Sequence, residues 1–279
     1  MQKNITLPRA ISLIENEGPG FRELLLNAQQ ANVPVIGITG PPGAGKSTLT
    51  DALIGNWVAQ GKKIGVLCVD PSSPFHRGAL LGDRIRMSKW YLNPNVFIRS
   101  LASRGALGGL HPKIIEITEY MKSAGFDYII TETVGVGQSE IEISRLADLT
   151  LLVLVPEAGD EVQTLKSGIM EVADFFVVNK SDRPDADLFT RHLKNTLSAD
   201  PQPRPVFQCI ASQQQGISEI CTAIEQVLEI RDRPQHFQRQ AEKAFQLIQR
   251  ERMRNVDLKI LEGMFREGAE LMEVVKRWV

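Results

Sequence analysis

Cysteine is scarce in this chain of 279 residues: Cys68, Cys209 and Cys221 are too few, too widely spaced and odd in number for a disulfide framework or a thiolate metal cluster. Cys68 and Cys209 sit inside apolar, strand-like runs, where a thiol acts as a small core residue. His76, His111, His192 and His236 are scattered and share no ligand spacing. Charge of one sign is also missing: Lys plus Arg total 32 against 33 for Asp plus Glu, a net charge of -1. Without a broad basic surface, neither nucleic acid nor anionic lipid is expected as a partner. No apolar run approaches the ~18 residues of a membrane span. The start MQKNITLPRA lacks a signal peptide's apolar core, so the expected location is cytoplasmic. Tandem repeats and low-complexity tracts are absent as well. What remains is enough chain for one large core with appendages.

Residues 40 to 47 read GPPGAGKS, directly after the apolar run 34–39 and before the helical pattern Thr48 to Ala59. Strand, glycine-rich loop and helix thus follow in the order of a phosphate-binding loop. Gly40, Gly43 and Gly45 let consecutive backbone N–H groups, Ala44 among them, turn inward around a triphosphate. Lys46 reaches its outer phosphates, Ser47 offers a hydroxyl to Mg²⁺, and Thr48 opens the helix whose N-terminal dipole favours the anion.

From Pro34 onward β-rich runs alternate with helical segments: 63–70, 96–101, 128–132, 149–156, 175–179 and 205–210. This alternation predicts an α/β fold, a mainly parallel central sheet with helices on both faces. Ligands of such sheets bind beyond the carboxyl ends of the strands, where Asp70, Glu132, Glu157 and Asn179 each follow an apolar run. A helical arm (1–33), with a stripe from Ile11 and Ile14 to Leu24–Leu26 interrupted at Gly18-Pro19-Gly20, precedes this nucleotide-binding domain (34–232). A helical C-terminal arm (233–279) follows it. Phe237, Ala241, Ala244, Phe245 and Ile248 form one stripe there; Leu258, Leu261, Phe265, Met272 and Val275 form a second. Such a face serves packing on its own domain or contact with a partner.

The run 175–178 ends in Asn179-Lys180-Ser181-Asp182, the NKxD pattern that reads guanine. A carboxylate at Asp182 accepts from the N1–H and 2-amino groups of guanine, whereas adenine would leave that charge unpaired. Asn179 holds neighbouring loops and the base edge, and the Lys180 stem covers the ring. GTP is therefore expected over ATP. Upstream, Glu132-Thr133-Val134-Gly135 places a carboxylate at a strand end and a glycine whose N–H can report a γ-phosphate. Asp70 and Asp83 suit either a Mg²⁺ shell or a helix cap and surface charge. Arg86 suits phosphate charge or a surface ion pair.

Taken together, GPPGAGKST, VDPSSP, GDRIRM, FIRSLASRGALGGL, ETVGVGQSE, AGDEVQTLKSG and NKSD resemble the methylmalonyl-CoA mutase-associated GTPases, over about residues 8 to 232. An older label for that family is arginine/ornithine transport system ATPase. The resemblance implies a P-loop GTPase of the signal-recognition and metal-insertion class. Its expected role is a chaperone that couples GTP binding and hydrolysis, with GDP as product, to adenosylcobalamin loading, protection or reactivation of an acyl-CoA mutase. A cobalamin adenosyltransferase and a second copy of the chain, as a homodimer, complete the implied partners. Carried over by motif, Lys46 contacts phosphate; Ser47, Asp70, Asp83 and Glu132 form the Mg²⁺ environment; Asp182 reads guanine. Lys46, Glu132, Arg86 and Gln138 are the candidate catalytic set, Gln138 being the nearest candidate for the attacking water. The segment 158–166 resembles the family's additional switch toward the mutase.

Two departures stand out. Relatives carry a Ser-Ala pair after the last strand, but here Ile210 precedes Ala211, so the Ala211 N–H can meet the guanine carbonyl while a hydroxyl bracing Asp182 is lost. The C-terminal arm is also short for dimerisation. Three other readings compete with the chaperone: an ATP-dependent kinase of a transport system, which NKSD opposes; a metal-insertion GTPase, which expects clustered Cys and His; and a binding module without turnover.

Overall fold

The structure, a computed structural model, describes residues 5–29, 31–70, 87–103, 110–133, 139–156, 169–198, 204–230, 234–254, 256 and 258–267. The chain divides into two units, Met1–Asp232 and Arg233–Val279.

Seven strands form the sheet of the first unit: β1 (Val35–Thr39), β2 (Ile64–Asp70), β3 (Val96–Ala102), β4 (Tyr128–Thr133), β5 (Leu149–Leu154), β6 (Phe175–Val178) and β7 (Val206–Gln208). Every pairing is parallel, in the order β3-β2-β4-β1-β5-β6-β7. β1, β5 and β6 are buried at every position. That explains why they read as near-continuous apolar runs, since a parallel sheet is covered on both faces.

The covering helices are α3 (Lys46–Ala59), α4 (Ile114–Lys122), α5 (Ser139–Leu146), α6 (Ile169–Val172), α7 (Ala186–Leu197) and α8 (Ile217–Glu229). On one face Leu49, Leu53 and Trp57 of α3 join Ile217, Ile220 and Ile224 of α8 against Ile36, Ile38, Leu151 and Val153. Leu152, Leu154, Phe176 and Val178 alternate to the opposite face, where Leu193 and Leu197 of α7 meet them. Trp57 stacks on Tyr128 with centroids 4.7 Å apart and donates its indole N–H to Glu225 at 2.8 Å, fastening α3 to both β4 and α8. Asp51 of α3 in turn accepts from Trp90 Nε1 and Lys89 Nζ, both at 2.7 Å.

The N-terminal stripe divides at the expected interruption, Gly18-Pro19-Gly20, into two helices, α1 (Leu7–Glu15) and α2 (Phe21–Leu26). Pro8 fits the first turn of α1, and Gly20, at φ +82°, turns the chain into α2. Ala10, Ile11 and Ile14 are buried, and Glu15 accepts from Arg99 of β3 at 2.8 Å. The last β-run is shorter than the pattern 205–210 suggests, because Ile210 leaves the ladder to bridge Gln215.

The second unit contains α9 (Pro234–Arg252) and α10 (Leu258–Arg266). Phe237, Ala241, Ala244, Phe245 and Ile248 recur on one face of α9 and are exposed, Phe237 at 65% and Phe245 at 67%. Met272 and Val275 lie outside the described residues. Among the described residues no helix is long and apolar enough to cross a membrane.

Candidate functional site

Strand β1 lies between β4 and β5, so its carboxyl end opens where the strand order changes direction, the crevice in which open α/β sheets bind ligands. The glycine-rich loop leaves from there. Gly40 adopts φ +137°, and a Cβ on it would stand 2.2 Å from the Val153 carbonyl oxygen of β5. At the other end Gly45, at φ +88°, precedes a helix that starts at Lys46 instead of Thr48. Ala44 is fully buried. Lys46 is buried too and curls back over the loop, donating to the carbonyls of Gly40 at 2.8 Å and Pro41 at 3.0 Å. A cationic head over a ring of backbone amides is suited to a polyphosphate.

Glu132 sits on β4 opposite Ile38 of β1 and Cys68 of β2, and is buried. Its carboxylate accepts from the Ser47 hydroxyl at 2.6 Å and from the Thr50 hydroxyl at 2.8 Å. These two side chains share one face of α3, three residues apart. Thr50 also lies 3.0 Å from the Lys46 carbonyl, and its single proton must choose between the two acceptors. Ser47 Oγ and the Glu132 carboxylate are hard oxygen donors, the chemistry Mg²⁺ takes. Asp70 ends β2 one position beyond the pair Val69↔Thr133, which brings its backbone to the same edge. Among the described residues no group of three or more His, Cys, Asp and Glu forms a metal cluster.

On the far side of the loop Asn179 is buried and makes a cross-tie. Its Nδ2 donates to the Ala44 carbonyl at 2.9 Å, while its Oδ1 accepts from the Ala211 amide at 3.1 Å and the Cys209 thiol at 3.5 Å. Lys180, in the left-handed region at φ +57°, donates its ammonium to the Gly43 carbonyl at 2.7 Å. Asp182 and Thr48 are exposed. Burial pushes the Cys209 thiol up to about 12, against a smaller opposing effect of the Ala211 amide, so it acts as a neutral donor.

The residues 40–47, Glu132, Asn179, Lys180 and Ala211 therefore converge on one end of the sheet. Asp83, Arg86, Gly135, Gln138 and the segment 158–166 lie outside the described residues, as does the side chain of Asp70. Sequence reasoning missed Thr50, Ser181 and Cys209. Thr50 could have been found from its spacing to Ser47; no local signal announces Cys209, which reaches Asn179 from just beyond β7.

The family description "Methylmalonyl Co-A mutase-associated GTPase MeaB" matches residues 7–263. A putative GTPase of Pyrococcus abyssi is 44% identical over 234 residues, spanning 81% of this chain and 72% of that protein. GTPase ArgK of Escherichia coli is 38% identical over 234 residues, 78% of this chain and 70% of its own length. Among solved structures, one titled LAO/AO transport system kinase superposes with a TM-score of 0.69 at 27% identity, covering 98% of this chain and 91% of that one.

Proposed function

The chain belongs to the MeaB family of methylmalonyl Co-A mutase-associated GTPases and is a P-loop GTPase, and on that premise we propose that its GTP cycle serves an adenosylcobalamin-dependent acyl-CoA mutase. In this reading it is a chaperone that loads intact cofactor onto the mutase, protects it, or reactivates it after inactivation. The observation that carries the reading is the family match across 7–263.

We assign the residues as follows. The amides of Gly40 and of Gly43 to Thr48, with the Lys46 ammonium, bind and orient the phosphates of GTP and retain GDP after cleavage. Ser47, Asp70, Asp83 and Glu132 would hold Mg²⁺, which when bound supplies charge neutralisation at the phosphate oxygens. The Thr50 hydroxyl helps hold the Glu132 carboxylate in place. Asp182 accepts from the guanine edge and the Lys180 stem covers the ring; the Ala211 amide, which here donates to Asn179, would release that bond to meet the base carbonyl. Gly135 senses the γ-phosphate, Arg86 stabilises phosphate charge, and Gln138 orients water. Segment 158–166 carries nucleotide state to the mutase. A cobalamin adenosyltransferase delivers the cofactor, and two copies of the chain associate through the exposed stripe of α9. The location is cytoplasmic.

The test is a GTP time course with and without purified methylmalonyl-CoA mutase. Turnover should rise with the mutase, and GTP should change the rate at which adenosylcobalamin enters the apo-mutase. Identical rates in both assays would refute the chaperone role and leave a GTPase with another client.

A further inference from the structure

The loop that presents Asp182 is held from below by a clamp that the aliphatic Ile210 cannot supply. Ser181 donates twice to the Cys209 carbonyl oxygen, from its amide at 3.1 Å and from its hydroxyl at 3.0 Å. A carbonyl has two lone pairs and can accept both. Cys209 is itself fixed: its amide donates to the Val178 carbonyl at 2.9 Å, its thiol donates to Asn179, and the side chain is buried. Above the clamp the chain makes a tight turn, with Lys180 at φ +57° and the Arg183 amide donating to the Lys180 carbonyl at 3.0 Å. Ser181 is thus the point at which the turn carrying Asp182 is fastened to the end of the sheet. The backbone of Ile210 is committed elsewhere, exchanging hydrogen bonds with Gln215 at 3.1 and 3.3 Å.

We propose that Ser181 is a specificity-determining positioning residue: its hydroxyl, bound to the Cys209 carbonyl, holds Asp182 where its carboxylate can pair with both donors of guanine. The proposal rests on the reading of Asp182 as the guanine acceptor. The clamp sits one residue from that carboxylate, and two-point pairing is sensitive to small displacements that one-point pairing tolerates. Loosening the clamp therefore weakens recognition of the 2-amino group more than binding of the triphosphate, which is held by loop 40–47, tied to this segment through Asn179 and Lys180 and not through Ser181.

Inosine triphosphate, which lacks the 2-amino group, separates the two effects. Calorimetric titration of Ser181→Ala with GTP and with inosine triphosphate should show the preference for GTP reduced about five-fold, the worth of one net hydrogen bond. Ser181→Thr should retain the wild-type ratio. Should Ser181→Ala fail to fold, Ser181→Cys, of similar volume with a weaker donor, should give a ratio below wild type. Asp182→Asn provides the control. If Asp182→Asn collapses the preference while Ser181→Ala and Ser181→Cys keep it, the clamp proposal is overturned and the guanine reading survives. If Asp182→Asn leaves the preference intact, the guanine reading fails and the proposal falls with it. Equal losses for the two nucleotides in the Ser181 variants would assign the hydroxyl to general stability and also overturn it.

Discussion

Gly45→Ala should be far more damaging than an exchange of one hydrogen for a methyl, and the structure allows the damage to be apportioned. At φ +88° an alanine occupies left-handed space, at about 1 to 2 kcal/mol. Its Cβ would lie 2.3 Å from Asn179 Nδ2, so the amide has to move away from the Ala44 carbonyl it now bonds at 2.9 Å. Asn179 is 2% exposed, and a buried polar group left without its partner costs about 1 to 3 kcal/mol. The sum, about 2 to 5 kcal/mol, is a large fraction of the roughly 5 to 15 kcal/mol that separates a folded domain from its unfolded chain. Urea unfolding of Gly45→Ala, Asn179→Ala and the double variant isolates the collision. Truncating Asn179 removes the obstacle, so the double variant should be more stable than the two single losses predict by at least about 1 kcal/mol. Gly40→Ala supplies the contrast. Its Cβ would meet the Val153 carbonyl oxygen at 2.2 Å, and no side-chain truncation can clear a backbone atom. Additivity within about 0.5 kcal/mol in the Gly45–Asn179 cycle would refute the reasoning.

Thr50→Val removes a hydroxyl that donates to Glu132 and should destabilise the protein by about 1 to 3 kcal/mol, with Thr50→Ser close to wild type; urea midpoints for the pair decide it. A second expectation concerns pH. Burial raises the thiols of Cys209 and Cys221 to about 12 from an ordinary 9, with Glu225 adding to the effect at Cys221. The unfolded chain therefore releases these protons first, so the stabilisation is complete below pH 9 and declines as pH rises from 9 toward 12. Denaturant midpoints flat from pH 8 to about 10.5 would contradict this, as would rapid labelling of either thiol by a disulfide reagent in the native protein at pH 8.

Much of the fold can be read from the amino acids because its physics is local. β1, β5 and β6 announce themselves by apolar runs that end in a polar residue, and the glycine-rich loop stands between strand and helix with its order intact. The order of strands is not local: that β4 enters between β2 and β1 follows from packing across the whole sheet. In the site, the pairing of Ser47 with Glu132 spans 85 positions, yet both residues carry a recognisable context. Thr50 has only its three-residue spacing from Ser47, since a threonine within a helical pattern looks like filler until the strand beside it is known. Ser181 and Cys209 are harder still. Their bond uses a backbone carbonyl, and no residue type advertises that. The break in the N-terminal stripe at Gly18-Pro19-Gly20 is local too, and Gly20 there takes the left-handed conformation that turns the chain into α2.

The cross-tie of Asn179 to both Ala44 and Ala211 has an engineering consequence. The two halves of this pocket are not separable modules. A graft that replaced residues 179–182 to change the preferred purine would also unfasten the phosphate loop, and triphosphate retention would drop along with base choice. Any redesign of nucleotide preference therefore has to preserve Asn179 and Lys180, which both tie the phosphate loop, and confine its changes to the residues beyond them.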